Sequence, residues 1–175
     1  LASRLATLRA AESARTDRPV YDGDAEPLLE VRNLSIRFPR HGDVAVVDDV
    51  SFSVRPGETM ALVGESGCGK SITSLAVMGL LDPSAQISGE IRYGGKDLLA
   101  MGNRERAALR GTEIAMIYQD ALSSLNPSML VRAQMKQLTR RGGTRTAEEL
   151  LELVGLATER TLTSFPQEVS GGQRP

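Results

Sequence analysis

The stretch GESGCGKS, residues 64–71, constrains this chain more than any other. It lies between two apolar runs, TMALV at 59–63 and ITSLAVMGLL at 72–81. The spacing of Gly64, Gly69, Lys70 and Ser71 is that of a phosphate-binding loop set between a strand and a helix. The composition follows from the task. Several backbone N–H groups must point into a tight loop, where side chains would block the phosphate and some positions need positive φ, so glycine is used. The helix that follows offers unpaired N–H groups and the positive end of its dipole. Lys70 reaches the β- and γ-phosphates, and the Ser71 hydroxyl reaches Mg2+. Kinases, GTPases, motor ATPases and transporter ATPases all use such a loop, so the rest of the chain has to separate them.

The pattern around the loop is mixed α/β. Leu34, Ile36 and Phe38 alternate with polar residues, as do Val50, Phe52 and Val54, which predicts two half-buried strands joined by a turn at PRHGD, 39–43. Further strands are expected at 58–63, 87–93 and 113–118, and helices at 70–81 and 103–110. After Tyr118 the pattern turns helical, at 127–141 and at 146–156, where Thr146 and Glu149 form a capping box. Residues 1–26 read as a loosely ordered extension, with Leu1, Leu5 and Leu8 on one face of a short helix. The expected organisation is an extension over 1–27, a nucleotide-binding core with a β subdomain over 28–118, and a helical part over 119–175.

Composition sets limits. The chain has 175 residues, 41% apolar and 25% charged, enough for one domain with a sizeable core. A net charge of −1 gives no case for binding nucleic acid through a basic surface. Cys68 is the single cysteine, which excludes an internal disulfide; inside the loop it reads as the occupant of a small-residue slot rather than a redox group. His41, in a turn, reads as solvated.

A second motif narrows the class. VSGGQ, residues 169–173, lies about a hundred residues after Lys70. It reads as a helix start, with Ser170 as N-cap and Gln173 as the reciprocal cap, hence a second anion site. GESGCGKS followed by VSGGQ resembles the nucleotide-binding subunit of ABC transporters, whose signature is LSGGQ, with Val169 in place of the usual Leu. MIYQDALSSLNP (116–127), LLEVRNLSIRFP (28–39) and VVDDVSFSVRPGE (46–58) resemble the oligopeptide/dipeptide importer branch, a style shared with nickel and glutathione importers. The resemblance covers about residues 28–174.

This resemblance implies a P-loop NTPase (RecA-like) α/β core with an antiparallel β subdomain and a helical subdomain, incomplete at the C-terminus. It implies ATP and Mg2+ as cofactors, with Gly64, Glu65, Ser66, Gly67, Cys68, Gly69, Lys70 and Ser71 around the phosphates and Ile72 and Thr73 in the first turn after them. Gln119 would touch Mg2+ and the attacking water, so the resemblance makes Lys70 and Gln119 the catalytic candidates and Ser71 and Gln119 the metal candidates. Phe38 would stack on adenine, and Ser170, Gly171, Gly172 and Gln173 would bind the γ-phosphate held by an opposing subunit. The implied partners are a second ATP-binding subunit, identical or paralogous, transmembrane permease subunits, and indirectly a solute-binding protein. The implied place is peripheral, at the cytoplasmic face of the cell membrane. The implied function is an ATPase subunit that energises import of peptides or similar small solutes. The alternatives are a truncated nucleotide-binding fragment without hydrolysis, or an ABC ATPase outside transport.

The family's Asp-Glu strand end, D-loop and switch histidine follow the signature and have no counterpart in these residues. Glu168 precedes the signature and His41 precedes the phosphate loop, so neither fills those roles. The expectation is an N-terminal fragment, whose segments 59–63 and 113–118 have a flank that further chain would cover.

Overall fold

The computed structural model describes residues 19–118, 124–140, 143 and 145–171, with positions 6, 10, 13 and 16 before them; of His41, Ser170 and Gly171 the backbone alone is described. The described residues divide into two compact units, one within 16–116 and the other within 117–175 together with 1–15.

The first unit is built on an antiparallel sheet of β1 (Leu29–Arg37), β2 (Val47–Val54), β3 (Gln86–Tyr93) and β4 (Lys96–Asp97), in the order β2-β1-β3-β4. β1 is central: Val31 faces Phe52 of β2 and Ile91 of β3, and Ile36 faces Val47 and Ile87. Its inward residues are Val31, Leu34 and Ile36, all buried. Strict alternation would put Val31 and Leu34 on opposite faces. An irregularity between them in both pairings inserts one residue and returns Leu34 to the core side. Asn33 takes up the kink at φ 47° and Asp49 of β2 a matching one at φ 50°.

The two kinks are tied together. Asn33 Nδ2 donates to Asp49 Oδ1 at 2.8 Å, the Asn33 N–H donates to Ser51 Oγ at 2.8 Å, and the Asp49 N–H donates to Ser35 Oγ at 2.9 Å. Left-handed backbone is tolerated by Asn and Asp because their short side chains hydrogen-bond locally. From the other side β3 offers Gly89 at φ +96°, where a Cβ would press on the carbonyl groups of Arg32 and Asn33.

Helix α1 (Lys70–Met78) lies on the core side of this sheet. Ala76 is fully buried among Val31, Leu34, Ile36, Val47, Ile91 and Leu98, with Ile72 and Val77 packed around that cluster. Burying one large aliphatic side chain such as Leu34 or Ile91 contributes about 1.5–3 kcal/mol. Helix α2 (Asn103–Leu109) follows β4 and fully buries none of its residues.

Two expected strands are absent among the described residues. Segments 58–63 and 113–118 carry the expected apolar side chains but belong to no sheet, apart from one parallel bridge between Arg110 and Ile114. Val63 is 85% exposed and Ile117 93%. An apolar run shows that a segment suits burial; a strand also needs a continuous hydrogen-bonded neighbour, and among the described residues neither segment has one beyond that single bridge.

The second unit is helical: α3 (Val131–Arg140), α4 (Ala147–Leu153), α5 (Thr158–Leu162) and α6 (Pro166–Gly171). Helices α3, α4 and α5 pack on one another around Val131, Leu151 and Thr161. The capping box of α4 is present in full. The Glu149 N–H donates to Thr146 Oγ1 at 3.2 Å, and the Thr146 N–H donates to Glu149 Oε2 at 2.8 Å.

Gly89→Ala is expected to destabilise the first unit by about 1–3 kcal/mol, the cost of holding a side chain at positive φ against backbone. Urea unfolding should show a lower midpoint at an unchanged m-value.

Candidate phosphate-binding site

Residues 64–73 form one continuous loop and helix turn in the first unit. Gly64, Gly67 and Gly69 all have positive φ, at 157°, 86° and 89°. The close approach is tightest at Gly69, the buried N-cap of α1, where a Cβ would lie 2.7 Å from the carbonyl oxygen of Val46 and 2.8 Å from Val47 Cγ2. The core strand β2 thus fixes where the helix begins. Gly67 is the opposite case, since a Cβ there would meet nothing within 4 Å. It lies at the open rim of the loop, and its glycine serves the backbone angle.

The Cys68 N–H closes a turn onto the carbonyl of Glu65 at 3.3 Å. The Thr73 N–H bonds back to Gly69 O at 2.8 Å, and the N–H groups of the turn before it have no helical carbonyl to meet. They form the set of donors that a phosphate requires.

The three donors of the Lys70 ammonium all stay inside the loop. Lys70 Nζ donates to Gly64 O at 2.8 Å, to Glu65 O at 2.6 Å and to Cys68 Sγ at 3.3 Å. The cation therefore sits over the loop, beside the first turn of α1. The hydroxyls of that turn divide by role. Thr73, buried, donates to Gly69 O at 3.0 Å, and Ser74 donates to Lys70 O at 3.2 Å. Ser71 is exposed, and among the described residues its hydroxyl has no hydrogen-bond partner. A free hydroxyl beside a lysine at a helix start fits a hard cation that accompanies phosphate, whose preferred ligands are oxygens.

Glu65, Ser66 and Cys68 are exposed along the loop and Ile72 is half-buried behind it. Phe38 is partly buried at the end of β1, where it packs against the core cluster. Gln119, Gly172 and Gln173 lie outside the described residues. The backbone of Ser170 and Gly171 corrects one expectation: α6 begins at Pro166, so these two residues lie within the helix rather than at its start. The signal was present upstream. Pro166 occupies the first helical position, where its fixed φ suits a helix, and Glu168 Oε2 accepts from the Phe165 N–H at 2.6 Å as a reciprocal cap.

Sequence reasoning also missed Gln134, a polar residue inside α3. Its Oε1 accepts from the Asn126 N–H at 2.9 Å, and its Nε2 donates to the carbonyls of Asn126 at 3.0 Å and Met129 at 2.9 Å. One side chain thus holds the turn of the SLNP stretch, and only the folded chain brings these groups together. Among the described residues no cluster of His, Cys, Asp and Glu could hold a metal by itself, and no helix is long and apolar enough to cross a membrane.

A glycine loop bound to its own lysine, opening a helix packed on a sheet, defines the class of phosphate-loop nucleotide-binding proteins. Within that class, the family model described as ABC transporter matches residues 47–175, and the chain belongs to that family. It is 43% identical to the oligopeptide transport ATP-binding protein OppD of Bacillus subtilis, over 84% of this chain and 44% of that protein. It is 39% identical to the dipeptide transport ATP-binding protein DppD of the same organism, over 85% of this chain and 48% of that protein. The match to the peptidoglycan transport ATP-binding protein YejF of Agrobacterium fabrum is 41%, over 86% of this chain and 30% of that protein. The chain spans less than half the length of these relatives.

Gly69→Ala is expected to displace the loop from β2 and weaken binding of a fluorescent ATP analogue at least about tenfold, since the phosphate contacts depend on loop geometry. Fluorescence titration of the variant beside the parent chain checks this.

Proposed function

We propose that this chain is the nucleotide-binding part of an ATP-binding subunit that energises an ABC importer of peptides or similar small solutes. The observation that carries the proposal is the Lys70 ammonium held by loop carbonyls at the start of α1, with the Ser71 hydroxyl free beside it. The names of the similar proteins, which specify oligopeptide, dipeptide and peptidoglycan transport, supply the solute class.

In this reading the triphosphate of ATP is the substrate group. The N–H groups of the loop and of the first turn of α1 point at its β- and γ-phosphates and offset their charge. Lys70 exchanges its bonds to Gly64 O and Glu65 O for bonds to phosphate oxygen, and remains beside the loop while doing so. Ser71 contributes one oxygen to Mg2+, which neutralises charge on the transferring phosphoryl group when bound. Phe38 offers an aromatic face to the base. Gln119, together with Ser170, Gly171, Gly172 and Gln173, is assigned to the attacking water and to the nucleotide of an opposing subunit. Permease subunits and a second ATP-binding subunit complete the machine at the cytoplasmic face of the membrane.

Lys70→Ala is expected to weaken ATP binding about tenfold to a hundredfold, the worth of one to two charge-assisted hydrogen bonds. The thermal midpoint should hold, because Lys70 supports no core contact. Titration with a fluorescent ATP analogue checks binding, and phosphate release by the whole subunit with its permease checks turnover. Unchanged binding in Lys70→Ala removes the loop from the site. Intact binding without turnover in the whole subunit leaves a nucleotide-binding protein that hydrolyses nothing.

A further inference from the structure

Helix α1 is held at its far end by two arginines. It closes with Gly79 in the left-handed conformation at φ 65°, with the Gly79 N–H on Ala76 O at 3.1 Å and the Leu80 N–H on Leu75 O at 2.9 Å. The last carbonyls receive guanidinium groups from α2 and from the residue that follows it. Arg106 Nη2 donates to Ala76 O and reaches Val77 O at 3.5 Å, while Arg110 Nη1 donates to Met78 O at 3.2 Å and Gly79 O at 3.3 Å. Two cations thus meet the negative end of the same helix dipole whose positive end faces the phosphate loop.

The arrangement is costly to keep. Arg106 and Arg110 are four residues apart and repel each other. Burial above all, and then the Arg110 charge, pull the Arg106 guanidinium below the ordinary arginine value, with Asp97 acting in the other direction. Arg106 Nε is buried without a partner among the described residues. Gly79 is shaped to this contact: a Cβ there would lie 2.5 Å from Arg106 Nε and 2.7 Å from its Cδ. Helix α2 fully buries none of its residues, and Arg106 within it and Arg110 just past its end both hydrogen-bond the last carbonyls of α1.

We propose that Arg106 and Arg110 are positioning residues for the phosphate loop, clamping the C-terminal carbonyls of α1 so that Lys70 and Ser71 at its other end keep their place. The proposal rests on the reading of residues 64–71 as the nucleotide site. The physical route is short. A nine-residue helix moves as a rigid strut. Its sideways position is set by Ala76 in the core, but its position along its own axis and its rotation are set by its two ends. At the loop end Gly69 abuts Val46 and Val47; at the other end one terminal nitrogen of each guanidinium, Arg106 Nη2 and Arg110 Nη1, reaches two successive carbonyls. Without these donors, the strut gains freedom along its axis, and the loop N–H groups and Lys70 lose registration with the phosphates.

The test compares the parent chain with Arg106→Ala, Arg106→Lys, Arg110→Ala and Gly79→Ala. Each is titrated with ATP and with tripolyphosphate, which engages the phosphate loop alone, by displacement of a fluorescent ATP analogue well below the melting midpoint. Arg106→Ala is expected to raise the Kd for both ligands about fivefold, the scale of coupling through packed contacts. Arg106→Lys, which keeps the charge on a shorter side chain without the planar guanidinium, should recover only part of that loss. Gly79→Ala, which pushes the guanidinium aside and leaves the charges unchanged, should reproduce it. A residue that merely stabilises the fold would lower the melting midpoint and leave both Kd values unchanged in the folded chain. Folded variants that bind both ligands within about twofold of the parent overturn the clamp. If Arg106→Ala does not fold, Arg106→Lys and Arg110→Ala decide by the same criterion. A parent chain that binds neither ligand overturns the nucleotide reading itself, and the Lys70→Ala control separates that failure from failure of the clamp.

Discussion

The chemistry of this molecule depends on where one short helix sits. Helix α1 carries Lys70 and Ser71, so on the proposed nucleotide reading an error in its placement is an error at the phosphates. Ala76 sets its distance from the sheet: the small side chain lets the helix backbone come close to Leu34, Ile36 and Ile91. Gly69 does the same at the loop, where the absent Cβ lets the backbone touch β2. The sheet therefore acts as the reference surface for the site. Its own register depends on Asn33 and Asp49, two kinked residues joined by a side-chain hydrogen bond. A slip of one residue there would turn Leu34 outward and remove the surface on which α1 rests.

The site was legible in the sequence to the extent that its chemistry is local. A loop that wraps phosphate with backbone must be made of glycines at fixed spacing, and GESGCGKS states that directly. The capping box at Thr146 and Glu149 was legible for the same reason, since cap and partner are three residues apart. What escaped depends on partners distant in the chain. The bulge pairing of Asn33 with Asp49, the insertion of Gly89 beside it and the grip of Gln134 on Asn126 all use ordinary-looking polar residues or glycines. Nothing in their own neighbourhood marks them out.

The failures of the pattern are equally physical. Segments 58–63 and 113–118 have the composition of buried strands, and composition reports a preference for burial without naming a neighbour. The SGGQ stretch was expected to open a helix because Ser170 is a good cap and Gln173 follows at capping-box distance. A competing start lay four residues earlier, where Pro166 and Glu168 form the first turn of α6 and draw Ser170 and Gly171 into the helix. Two adjacent starts cannot both cap one helix, and proline, with φ already fixed, sacrifices the least freedom.

The loop's own hydrogen bonds bear on how it discriminates among ligands. Lys70 is held by two carbonyls and one thiol, and the thiol is the weakest acceptor of the three. A hydroxyl or amide at position 68 would hold the ammonium more firmly and oppose its transfer to phosphate. Cysteine fills the small slot while contributing little to that opposition. The remaining competitors are neutral carbonyls, which an anionic phosphate oxygen outmatches for an ammonium because the bond is assisted by charge on both sides. A neutral ligand has no such advantage. On the proposed nucleotide reading, the same contacts that keep Lys70 folded into its loop would favour polyphosphates over uncharged nucleosides, before any contact to the base is made.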